Sequence, residues 1–149
     1  MMILGFRYPL QKIVDLKMNE KTQAEWILSH AMSVLQEEEQ SLHSLHSEKN
    51  GIHADLSSVV GTSANISQLR TFQNYMTHLD HRITKKVKDV ERAEQNVVHK
   101  KGHLSAKMID EKVWSKAKDK AKLIFEGIER TKEQQILDEM ATNRHKFSF

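Results

Sequence analysis

Apolar residues recur in alternating steps of four and three from Leu10 to Val59, and again from Leu69 to Ile128. The first arm reads Leu10, Val14, Lys17, Lys21, Ala24, Leu28, Ala31, Leu35, Glu38, Leu42, Leu45, Lys49, Ile52, Leu56 and Val59, apolar at eleven of fifteen positions. The second reads Leu69, Phe72, Met76, Leu79, Ile83, Lys86, Val90, Ala93, Val97, Lys100, Leu104, Lys107, Glu111, Trp114, Lys118, Ala121, Phe125 and Ile128, apolar at thirteen of eighteen. A 3.5-residue period draws one narrow seam along a helix, and a second helix must cover it. Two such arms around Gly61-Thr62-Ser63-Ala64-Asn65 predict an all-α fold, a long antiparallel two-helix coiled-coil hairpin.

The spacing predicts one coiled-coil domain over residues 1–149: a helix over about 9–60, a turn at 61–65 and a helix over about 66–143. Pro9 suits a first helical turn, where its missing N–H would be unpaired anyway. The first helix would run roughly 75 Å at 1.5 Å per residue. Gly61 is expected to end it in the left-handed conformation, and Thr62, Ser63 and Asn65 are all capable caps for the second helix.

The arms are unequal. With the turn centred near Ser63, facing residues have numbers that sum to about 126, so Leu10 lies beside Lys116 and Trp114 near Lys12 and Ile13. The second helix therefore overhangs the first after about Lys118 and carries Phe125, Ile128, Ile136 and Leu137 without a partner in the hairpin. A lone helix with that stripe is marginal in water, so it folds back, pairs with the segment before Pro9, or enters a partner. The same pairing sets Lys17 near Glu111 and Lys107, and Glu38 near Lys86 or Lys88, as ion pairs inside the seam.

Composition agrees with a thin core. Hydrophobic residues make up 38% and aromatic residues 6%, low for a globule but fitting two helices whose positions mostly face water. One proline and five glycines leave the helices largely unbroken, with Gly102 and Gly127 as weak points. No cysteine is present, which excludes disulfides and cysteine metal sites and permits a reducing compartment. The opening Met1-Met2-Ile3-Leu4-Gly5-Phe6 is too short and too soon polar for a signal peptide, and no run has the length of a membrane span. A cytoplasmic protein is expected.

Charge is uneven. Residues 1–60 hold five Lys/Arg against eight Asp/Glu, whereas residues 61–149 hold eighteen against twelve. An acidic helix beside a basic one favours pairing and leaves a positive surplus on the second, for an acidic protein surface or a nucleic acid. The plain alternative is a solvated charged face.

Candidate chemistry is sparse. His43 and His46, His78 and His81, and His99 and His103 have one-turn spacings that could share a metal. The register, however, puts the helical histidines outside or beside the seam, and none has the Glu-x-x-His pattern of a bundle metal site. There is no phosphate loop, zinc-protease helix or nucleophile elbow. The reading is no enzyme, no cofactor, no metal and no catalytic residue.

The opening Phe6-Arg7-Tyr8-Pro9-Leu10-Gln11-Lys12-Ile13-Val14-Asp15-Leu16-Lys17 resembles that of the flagellar export protein FliJ family. Leu69-Arg70-Thr71-Phe72-Gln73-Asn74-Tyr75-Met76-Thr77-His78-Leu79-Asp80 is similar to the family's stretch after its turn, and Glu133 with Asp138-Glu139-Met140-Ala141 resembles its acidic tail. Positions where family members often carry tyrosine near the turn are here Glu48 and Ile52. The resemblance covers nearly the whole chain.

The resemblance implies a non-enzymatic stalk of the flagellar type III protein export apparatus. Its joined termini would enter the hexameric export ATPase, its turn end would reach the cytoplasmic part of the export gate, and it would escort export chaperones. The site would be cytoplasmic, peripheral at the inner face of the cell membrane and linked to the membrane only through the export apparatus. ATPase contact would fall on Phe6, Arg7, Tyr8, Lys12, Lys112, Lys116, Lys120, Phe125 and Ile128, in a positive collar completed by Lys118 and Lys122. Gate contact would fall on Leu45, Ile52, Phe72, Tyr75 and Leu79. One alternative is the equivalent stalk of a virulence type III injectisome. Another is a basic coiled coil that binds nucleic acid, since residues 82–122 hold thirteen Lys/Arg against six Asp/Glu. No nucleic acid is expected, because aromatics are not interleaved with those bases as a stacking platform requires.

Overall fold

A computed structural model describes residues 5–61 and 65–147. Two helices account for nearly all of them: α1 over Gln11–Val60 and the longer α2 over Ile66–Phe147. They pack against each other as a helical hairpin.

The helix ends follow from local chemistry. Pro9 and Leu10 form a turn, and the N–H groups of Gln11 and Ile13 donate to the carbonyls of Tyr8 and Leu10 at 3.1 and 3.0 Å. The helix thus starts two residues later than expected, with its first amides already satisfied. Asn65 caps α2, its Oδ1 accepting from the Gln68 N–H at 2.8 Å. Thr62 and Ser63, the other expected caps, lie outside the described residues. Gly61 corrects the sequence reading. Its backbone is not left-handed, and its N–H donates to the Ser57 carbonyl at 3.4 Å as one more helical step.

The seam is where the 3.5-residue period puts it. All eight buried hydrophobic residues are seam positions: Val14, Ala24, Ala31, Leu45, Leu79, Val90, Ala93 and Val97. Of the thirty-three seam positions, only Leu10 and Ile128 are exposed. Leu79 is fully buried, which for a leucine contributes about 1.5–3 kcal/mol.

The chain divides into two units, Ala24–Leu104 and the stretches before and after it. The Ala24–Leu104 unit holds seven of the eight buried hydrophobic residues. Three of its four polar seam positions are used: Lys86 donates to Glu38 at 2.9 Å, and Lys49 reaches Asp80 at 2.7 Å. The other unit, residues up to Gln23 with those from Ser105 onward, buries only Val14 among its described hydrophobic residues. Its seam is held by ion pairs: Lys17 with Asp110 at 2.9 Å, Lys107 with Glu20 at 3.2 Å and Lys21 with Glu111 at 3.9 Å. Lys17 therefore pairs one position away from the expected Glu111, and Lys107 faces Glu20 rather than Lys17.

Candidate partner-binding surfaces

In the unit that carries both terminal stretches, the segment before Pro9 lies on α2. The Phe6 ring stacks on Tyr8 with centroids 6.2 Å apart and tilts onto Phe125 at 5.4 Å. Ring pairs at these distances add about 0.5–1.5 kcal/mol beyond the area they bury. Of the outcomes open to the overhang, pairing with the segment before Pro9 is the one seen at Phe125, which the aromatic arm ahead of the Pro9 turn covers. Ile128 remains half exposed, and every residue from Thr131 to His145 is exposed, Ile136 and Leu137 among them.

Arg7, Lys12, Lys112, Lys116, Lys120 and Lys122 are exposed, and Lys118 is half buried. Lys112, Lys116 and Lys120 follow one another at one-turn spacing on the solvent side of α2. None of the three takes part in an ion pair among the described residues, unlike the seam lysines Lys17, Lys21 and Lys107. The hydrogen bond to Asp110 raises the Lys17 ammonium above the ordinary lysine value of 10.5. Two kinds of lysine result: Lys17, Lys21, Lys49, Lys86 and Lys107, which meet carboxylates across the seam, and lysines without an ion pair, whose charge is available to an acidic surface.

In the Ala24–Leu104 unit the residues assigned to gate contact separate by burial. Leu45 and Leu79 are buried in the seam, Ile52 and Phe72 are half buried, and Tyr75 is 38% exposed. The Tyr75 hydroxyl donates to the Glu48 carboxylate, which raises the phenol above its ordinary 10.0, and its ring lies 6.4 Å from that of His78. The bond crosses the hairpin, from α2 to Glu48 on α1. The sequence reading missed this bond. Its only signal was the facing-number rule, which puts residue 48 near 78 and so only a turn away from Tyr75. Trp26 was also missed. It is 70% exposed, two residues off the seam position Ala24, in the manner of side chains that anchor interfaces.

All nine histidines are exposed, and no cluster of His, Cys, Asp or Glu among the described residues could hold a metal ion. No described helix is long and apolar enough to cross a membrane. The clefts lined by Lys21 with Ser105 to Lys112 and by Phe125 to Glu133 are open to solvent.

Residues 6–147 match the family described as Flagellar FliJ protein. The chain belongs to this family. Membership makes it a component of a type III export apparatus. Its fold is similar to that of a proposed YscO homolog from Chlamydia trachomatis, with a TM-score of 0.64 and 17% identity, covering 97% of this chain and 100% of that one. At that identity the likeness is one of fold. No curated protein matches the chain.

Proposed function

We propose that this family member is the non-enzymatic stalk of the flagellar type III export ATPase, at the cytoplasmic face of the cell membrane. It inserts into the hexameric ring and links it to the export gate and the export chaperones. One observation supports the ring contact above others. Phe6 on Phe125 fastens the N-terminal arm to α2 beside the unpaired lysines Lys112, Lys116 and Lys120, and α2 continues past them with Ile128, Ile136 and Leu137 uncovered. A positive collar followed by an uncovered apolar helix suits an acidic ring mouth and an apolar lumen. Arg7, Lys12, Lys118 and Lys122 complete the collar, and Tyr8 lies in the arm with Phe6.

On the gate side, Tyr75 is the residue with surface to offer, with Phe72 and Ile52 at its flank. Leu45 and Leu79 serve the seam. The similarity to the YscO homolog supports a second reading, an injectisome stalk; the flagellar family match favours the first.

The test removes everything after Glu126 in one variant and changes Lys112, Lys116 and Lys120 to Glu in another. The truncation abolishes ATPase binding. The charge reversal weakens it, more at low salt than at high salt, because exposed charges are screened beyond about 8 Å at physiological ionic strength. If both variants stimulate the ATPase as well as the parent chain does, the ring contact lies elsewhere.

A further inference from the structure

The far side of α2 from the seam carries a second register. It starts at Ile109, runs in steps of three and four through Lys112, Lys116, Asp119 and Leu123, and continues through Glu126, Arg130, Glu133, Leu137 and Met140. All ten residues are exposed and all lie in the unit with the terminal stretches. None of its charged side chains takes part in an ion pair among the described residues, although the seam a half-turn away is dense with them. A 3.5-residue register on the solvent side of a helix is the pattern that a further helix covers.

The register is self-complementary. Turned end for end about the peptide between Ile124 and Phe125, it sets Lys116 opposite Glu133, Asp119 opposite Arg130 and Ile109 opposite Met140. Lys112 then lies along Leu137, and Leu123 meets the stem of Glu126. At the flanks, Val113 falls opposite Ile136 and Lys120 opposite Glu129. No facing pair within the register carries like charges. A parallel arrangement would instead put Lys112, Lys116, Asp119 and Glu133 each against its own copy. Facing charges of this kind fix orientation and partner choice in coiled coils.

We infer that this face of α2 binds a second copy of the chain, antiparallel, about a two-fold axis that passes beside Ile124 and Phe125. Such an interface is isologous, so each complementary pair occurs twice. The occupant is another copy because the pattern of charge and apolar residues is satisfied by its own reversal. This inference does not rest on the stalk reading, but it draws on the same Lys112, Lys116 and Leu137, so dimer and ring contact would exclude each other.

The test uses the full chain. Sedimentation equilibrium across the micromolar range shows a monomer–dimer equilibrium that weakens as salt rises. Lys116→Glu and Glu133→Lys each raise the dissociation constant about tenfold, since two surface pairs become repulsive. The double variant K116E/E133K returns it to near the parent value, and circular dichroism shows the helices intact in all three. Because the chain has no cysteine, introduced thiols report register cleanly. Ile109 and Met140 are separated by about 46 Å along one helix, beyond the reach of an intramolecular disulfide. I109C/M140C therefore forms a disulfide-linked dimer on oxidation, whereas I109C alone and M140C alone do not. A chain that stays monomeric throughout, a double charge variant as weak as the single ones, or cross-linking by either single cysteine overturns the inference.

Discussion

Lys86 donates to Glu38 at 2.9 Å, and both residues occupy seam positions where the flanking turns place apolar side chains. Asp89 adds a second carboxylate 3.7 Å from the same ammonium. The pair fixes register more than it adds stability, because a sliding helix would put one of the two charges among aliphatic neighbours. Glu38→Lys should lower the melting temperature by setting two ammonium groups face to face. The exchange E38K/K86E should recover most of the loss, although its new glutamate then faces Asp89. Thermal melts of the four proteins, read as a double-mutant cycle, check this. Equal losses in the single and double variants would mean that the pair is a surface accident.

The bond between Tyr75 and Glu48 predicts a titration. Tyr75, Lys17 and Lys86 all have raised folded-state values, so the fold favours their protonated forms. Their contribution to stability is complete below the unfolded values of 10.0 for the phenol and 10.5 for the lysines, and is lost as pH rises through the raised folded values. In a Tyr8→Phe background, the tyrosinate absorbance should therefore appear above pH 10.0. Glu48→Gln should bring it back toward the ordinary phenol. A Tyr75 signal unmoved by Glu48→Gln would remove the hydrogen bond from the account.

Tyr75→Ala should leave helicity nearly unchanged, because the side chain lies just outside the seam and its bond is exposed. Binding to the cytoplasmic part of the export gate should weaken. Unchanged binding with the fold intact would return Tyr75 to the ordinary surface.

Two backbone and core substitutions should act in opposite directions. Gly102 sits inside α2 with nothing within 4 Å of the place a Cβ would occupy. Gly102→Ala should therefore stabilise by about 0.5–1 kcal/mol, through helix propensity and a less flexible unfolded chain. Leu79→Ala should cost about 2–5 kcal/mol, as loss of a fully buried leucine does. Denaturant melts followed by circular dichroism measure both.

Local stability should differ between the two units. Val14 is the one buried hydrophobic residue described in the unit with the terminal stretches, where ion pairs hold the seam; the Ala24–Leu104 unit has seven. Amides over residues 11–23 and 105–125 should exchange faster than those of the Ala24–Leu104 unit, and the gap should widen with added salt. Uniform, salt-independent protection would show that the charged seam holds as firmly as the aliphatic one.

The two helices, their unequal lengths and the identity of the seam were legible in the pattern of residues. Those follow from a period that puts every buried residue, from Val14 to Val97, on one line, and a period is a local property of the chain. The pattern also put Glu38 opposite Lys86 or Lys88, of which the structure uses Lys86, since an antiparallel hairpin about a known turn leaves little freedom in which residues face each other. That Lys17 takes Asp110 rather than Glu111 emerges from packing alone, because neighbours one residue apart are separated by helix rotation and stem reach. The tertiary structure alone put Phe6 on Phe125, since the arm before Pro9 has no period to announce its path. It also showed Tyr75 held by Glu48, and Gly61 following the end of α1 without a left-handed backbone. These are contacts between side chains distant in sequence, or backbone states set by the next few residues, and a one-dimensional pattern carries neither.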